Sequence, residues 1–114
     1  MTRLCLLLPA LALLTGCAAP TLYSWGRYED QVYVMYAKPD KATAELQVAK
    51  LDEDLEKARS KNKPVPPGFH AHLGYLCYQL GNGDRARQEF AAEKAAFPES
   101  AVFVDRMLAN MQSK

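Results

Sequence analysis

The chain has 114 residues, 49% of them hydrophobic, with 14 basic and 13 acidic side chains and a formal net charge of +1. That length makes one small domain. The balanced charge argues against a basic stripe for nucleic acid and a polybasic patch for anionic lipid.

The first 16 residues have the layout of a secretion signal. Arg3 and the amino terminus supply a positive start, and Leu4 to Leu14 is an apolar run broken only by Pro9. Such a run is too short to span a bilayer, which needs about 20 residues. Leu14-Thr15-Gly16-Cys17 closes it and has the form of a bacterial lipobox. The expected cut lies between Gly16 and Cys17, with acyl chains on Cys17; the alternative is an ordinary cleaved signal with Cys17 incidental. Two or three acyl chains anchor a protein stably, where one binds marginally. Ala18 is not the Asp that retains lipoproteins in the inner membrane of enteric bacteria, so the expected place is the periplasmic face of the outer membrane.

The leader takes Cys5 and Arg3 with it and leaves 98 residues, 17–114, with 13 basic and 13 acidic side chains. Cys77 is then the one thiol that is neither removed nor acylated. It has no partner for an intramolecular disulfide, and a buried, apolar role is expected.

Residues 18–22 read as a tether, and residues 23–114 as one helical domain. Tyr23, Trp25, Tyr28, Tyr33 and Tyr36 make the next stretch aromatic-dense. Trp25, Tyr28, Val32 and Met35 fall at helical spacing and predict a first helix over 27–37, against some strand propensity in Val32-Tyr33-Val34. Whether the aromatic segment 23–36 is core or interface stays open, since aromatics serve both. Asp40 is the expected N-cap of a second helix over 41–61. There Ala44, Val48, Leu51, Leu55 and Ala58 form a 4-3-4-3 stripe and Leu46 widens it. Three prolines in 64–67 make a stiff connector.

A third helix is expected over 67–80, with Phe69, Leu73, Leu76, Cys77 and Leu80 on its apolar face. Gly81-Asn82-Gly83 stops it. Asp84 is the expected cap of a fourth helix to Phe97, with Ala86, Phe90 and Phe97 turned inward and Pro98 ending it. Ser100 is the expected cap of a last helix to Gln112 that buries Phe103, Val104, Met107, Leu108 and Met111. The expected fold is all-α: about five helices in tetratricopeptide-like antiparallel hairpins.

Leu73-Gly74, Ala86, Phe90 and Pro98 match the tetratricopeptide pattern at its offsets. Glycine allows close helix approach, Ala86 is the small residue opposite, Phe90 fills the groove and Pro98 turns the chain. Any antiparallel helical hairpin could carry such residues too. His70 stands where the pattern often has Trp, Cys77 where it often has Tyr, and no second window repeats 34 residues earlier. Residues 23–61 must therefore pack against the single hairpin.

The lipobox, Leu22-Tyr23-Ser24-Trp25-Gly26-Arg27-Tyr28-Glu29, Lys63-Pro64-Val65-Pro66-Pro67-Gly68 and Phe97-Pro98-Glu99-Ser100-Ala101-Val102-Phe103 resemble a family of short bacterial lipoproteins of unassigned function, over nearly the whole chain. The resemblance implies genes encoded beside a lipoprotein similar to the curli secretion channel and another small envelope lipoprotein. It implies no catalytic residues.

No metal, cofactor or catalytic motif emerges. His70 and His72, two apart on a helix, point about 200° away from each other, which defeats a metal pair. Cys77 lacks a Cys-x-x-Cys partner, and a dyad with His72 would need exposure. Asp52, Glu53 and Asp54 read as a solvated face. No glycine-rich phosphate loop or nucleophile elbow occurs, and no small-molecule substrate is implied. The leading expectation is a non-enzymatic interaction module anchored in the outer membrane. An assembly accessory of a multi-lipoprotein complex comes second, and an enzyme last. The expected partner is another envelope lipoprotein or a channel-like protein, with no nucleic acid. Contact residues are expected on the third helix: His70, Tyr75, Tyr78 and Gln79. The rival reading packs both tyrosines against helix 27–37.

Overall fold

The computed structural model describes residues 19–113. The leader, the Gly16–Cys17 cleavage point, the lipid site at Cys17 and Lys114 lie outside the described residues. Within them every regular element is helical: α1 (Tyr28–Ala37), α2 (Ala44–Ser60), α3 (Phe69–Gln79), α4 (Gly83–Ala96) and α5 (Ala101–Gln112). Short 3-10 turns at Pro39–Lys41 and Pro98–Ser100 precede α2 and α5. The all-α expectation holds, and no helix among these residues is long and apolar enough to cross a membrane.

Helix α2 buries its stripe through Leu51, Leu55 and Ala58, with Ala44 and Val48 packed half-buried beside them. Leu46 does not widen it; it is 45% exposed. Asp40 is not the cap. Pro39 draws it into the 3-10 turn, and Thr43 caps α2 by accepting from the Leu46 backbone N–H at 3.3 Å.

Helices α3 and α4 form the hairpin at the centre. Ala86, Phe90, Leu73 and Leu76 are fully buried. A Cβ on Gly74 would come within 3.2 Å of both the Phe90 ring and the Ala86 carbonyl, so glycine is what lets the helices close. Asn82, not Asp84, caps α4: its side chain accepts from the Arg85 N–H at 3.1 Å. Asp84 lies inside the first turn and pairs with Arg87. Leu80, expected in the core, follows α3 and is 40% exposed.

Ser100 does not cap α5. Its backbone is already helical (φ −76°), so the 3-10 turn feeds α5 without a break, and its buried Oγ has no partner. Val104 is fully buried, and Met107, Leu108 and Met111 pack around it, but Phe103 is 56% exposed.

Residues 23–27 run as a strap along one end of this core. The Ser24 N–H donates to the Pro64 carbonyl at 2.7 Å, and the Tyr23 ring meets the half-buried Phe97 edge-on at 5.9 Å. Gly26 has φ +51°, and a Cβ there would strike the Asp54 carboxylate at 2.7 Å. Arg27 then clasps Asp54. Its backbone N–H donates at 2.7 Å and its Nε and Nη2 donate to the same carboxylate, while Nη2 also reaches the Lys50 carbonyl and Glu53. Charge-assisted, forked bonding of this kind suits a carboxylate only 4% exposed.

Gly68 sets the entry to α3. Its φ of +91° is open to glycine, and a Cβ would meet the Tyr28 hydroxyl at 2.5 Å. The orphan N–H groups of this helix start are satisfied from outside. Glu93 of α4, 2% exposed, accepts from Gly68 N at 2.7 Å and Ala71 N at 3.2 Å. The capping carboxylate thus comes from the neighbouring helix.

Candidate interaction groove

Helices α1, α3 and α5 each contribute one side to an open groove of about 530 Å³. Helix α3 packs closely on α4 and also on α2, and α5 packs on α4; residues of α1, α3 and α5 are left facing one opening. The walls are Val32, Met35 and Tyr36 from α1, Ala71, His72 and Tyr75 from α3, and Phe103 and Met107 from α5. Tyr28 and Gln79 close the ends.

The lining is apolar with a few neutral polar tips. No Lys, Arg, Asp or Glu side chain lines it. His72 is the one group there that could carry a charge near neutral pH, and burial lowers its pKa. Its tautomer follows from its neighbour. Gln47, 1% exposed, donates through Nε2 to the Ala42 carbonyl at 2.9 Å. Its Oε1 is left to accept, so His72 Nε2 donates to it at 3.2 Å. The Tyr28 hydroxyl is held in its neutral form well into the basic range, by burial first and then by Glu93 and Glu29.

The four residues expected to share a contact face separate. Tyr75 lines the groove, and exposed Gln79 donates to its hydroxyl at 3.0 Å. Tyr78 is half-buried against the core. His70 turns the other way, toward α4. Its Nδ1 lies 2.7 Å from Glu89 Oε2, and since a carboxylate only accepts, Nδ1 donates. The hundred-degree step of a helix makes this separation unavoidable: 72, 75 and 79 share a side, and 70 does not.

The aromatic segment divides the same way. Tyr23 and Tyr28 pack inward, Tyr28 against Phe69 and His72. Tyr33 and Tyr36 stand 63% and 78% exposed. Cys77 is a buried free thiol, and burial pushes its pKa up, outweighing the opposing pull of Arg85. The carboxylates at 52–54 are not a solvated face. Asp54 is buried under Arg27, and Asp52 forms a two-pronged pair with Arg85, whose pKa it raises further; Glu53 alone is exposed. Among the described residues no group of three or more His, Cys, Asp or Glu could hold a metal ion.

Several of these residues escape a linear reading. The partners of Arg27, Glu93 and Arg85 lie 27, 25 or 22, and 33 residues away, and no local periodicity announces such pairs. Gly26 and Gly68 could have been found. Each is a glycine at the edge of a helix, where a positive φ or close approach is a common reason for the residue.

Comparison with curated proteins and with solved structures returned no match. A family model described as a domain of unknown function (DUF4810) matches residues 22–107. That span takes in the strap, the Arg27–Asp54 clasp, the Glu93 cap and all three walls of the groove, and the chain belongs to this family.

Proposed function

We propose that this chain is a non-enzymatic interaction module, held by acyl chains on Cys17 at the periplasmic face of the outer membrane. In this reading it takes up a polypeptide segment of another envelope protein, a lipoprotein or channel-like neighbour. The observation that carries the binding half is the groove itself. It is apolar, rimmed by exposed aromatics, and lined by no formally charged side chain. Such a lining suits an uncharged segment anchored by aliphatic or aromatic side chains, with tyrosine hydroxyls, Gln79 and His72 available to its backbone. It presents no Lys or Arg to a phosphate or a carboxylate. The anchoring half rests on Leu14-Thr15-Gly16-Cys17.

The test is a photo-crosslinking amino acid placed at Tyr36 or Phe103 of the full chain in cells. Arg87, an exposed residue of α4 that does not line the groove, is the control position. The expected result is a discrete adduct with one envelope protein from both groove positions and none from Arg87. Adducts of equal yield from all three positions, or none from the groove, would overturn the reading.

A further inference from the structure

We infer that the end of the domain bearing Arg59, Lys61, Lys63 and Leu22 docks on the anionic phospholipid surface to which the chain is tethered. The inference rests on acylation of Cys17. The overall count balances basic with acidic residues, so net charge hides a local run of cations at 59, 61 and 63, and the fold sets the N-terminal segment beside it. Arg59, Lys61 and Lys63 crowd the last turn of α2 and the start of the connector. Arg59 is exposed and its one carboxylate partner is the exposed Glu56. Lys61 is exposed and has no carboxylate partner among the described residues.

The N-terminal segment arrives at this same end. Lys63 Nζ donates to Thr21 Oγ1 at 2.9 Å, and Ser24 is fastened to Pro64. Thr21 is four residue steps from Cys17, so a fully extended tether reaches at most ~14 Å. An acylated Cys17 lies at the headgroups, so Lys63, bonded to Thr21, stays within about two screening lengths of them at physiological salt, and Arg59 and Lys61 are its near neighbours in the chain. Between them opens an apolar cleft of about 550 Å³, with Leu22, Leu55, Ala58 and Val65 in its walls and Arg59 and Lys63 at its edge. Leu22, just ahead of the strap, is 73% exposed, against 39% for Trp25 within it. An exposed leucine framed by cations is the pattern of an interfacial contact. Each cation near an anionic leaflet is worth roughly fivefold in partitioning.

A domain resting on this end presents the α3–α4 turn, at the far end of the hairpin, away from the bilayer.

The test uses the acylated chain reconstituted into phosphatidylethanolamine vesicles with or without phosphatidylglycerol. Cys17 is blocked by its lipid and Cys77 is buried, so one introduced cysteine can be labelled cleanly. A fluorophore at Ser60→Cys, beside the cluster, is compared with one at Asp84→Cys, at the opposite end of α4, using a headgroup nitroxide lipid as quencher. Strong quenching at 60 and little at 84 is expected with phosphatidylglycerol. It should fall severalfold in high salt, and in Arg59→Glu with Lys61→Glu and Lys63→Glu. Vesicle-bound protein quenched equally at both positions, or indifferent to phosphatidylglycerol and salt, would overturn the docked face alone. Protein that fails to float with either vesicle would overturn the anchor reading, and this inference with it.

Discussion

Phe90 shows most directly how single side chains hold this domain. Its ring is fully buried and sits so close to Gly74 that a Cβ there would crowd it at 3.2 Å. Truncation leaves a cavity between two helices that are already close, with too little room between Gly74 and the Ala86 carbonyl for even a Cβ to fit without a shift. Phe90→Ala should cost about 3–5 kcal/mol, much of the roughly 5–10 kcal/mol such a domain has. At ~4–8 °C per kcal/mol, the melting temperature should drop by well over ten degrees in a thermal unfolding scan. A shift of only a degree or two would mean that the hairpin is not packed around Phe90. The pattern Leu73-Gly74, Ala86, Phe90 was legible in the sequence because each residue is demanded by a local contact between adjacent helices. The groove residues were legible only in part. Tyr75 and Gln79 do line it, whereas His70 is consumed by Glu89 and Tyr78 by the core.

Among the elements, α3 depends on its neighbour to begin. Gly68 has no side chain to cap it, and Glu93 of α4 supplies both acceptors. Glu93→Gln keeps the shape but turns one acceptor toward a backbone N–H as a donor. It should destabilise by about 1–3 kcal/mol, the penalty of an unsatisfied buried group. Amide exchange should accelerate first at Gly68 and Ala71. Unchanged exchange at both amides would show that the cap contributes nothing. Helix existence was readable from stripes such as 48, 51, 55 and 58. Helix starts were not, since Asp40, Asp84 and Ser100 are all good capping residues by type. Pro39 and Pro98 open 3-10 turns that displace or bypass two of them, and Asn82 pre-empts the third. A cap delivered from 25 residues away carries no mark in the segment it caps.

For the whole molecule, the strap joins what sequence separates. Tyr23 meets Phe97, Ser24 meets Pro64, and Arg27 meets Asp54. The motif blocks around residues 22–29, 63–68 and 97–103 are therefore one contiguous structural joint. The lipid anchor proposed at its head is tested at the same scale. Cys17→Ala should abolish acylation and leave the unprocessed precursor, checked by metabolic labelling with a radioactive fatty acid. Label retained on the variant would refute it.

The strap also decides how the domain responds to being pulled. Tension entering through residue 19 meets Thr21 on Lys63 and Ser24 on Pro64 before it reaches any helix. Those two bonds, one of them between exposed side chains, are loaded ahead of the Arg27–Asp54 clasp. The clasp, with its several bonds to one buried carboxylate, is the last stop before α1. In a chain tethered at Cys17, residues 19–26 would be the first to give. A modest tug would then lengthen the leash by peeling the strap, with the groove between α1, α3 and α5 expected to keep its shape until the Arg27–Asp54 clasp yields.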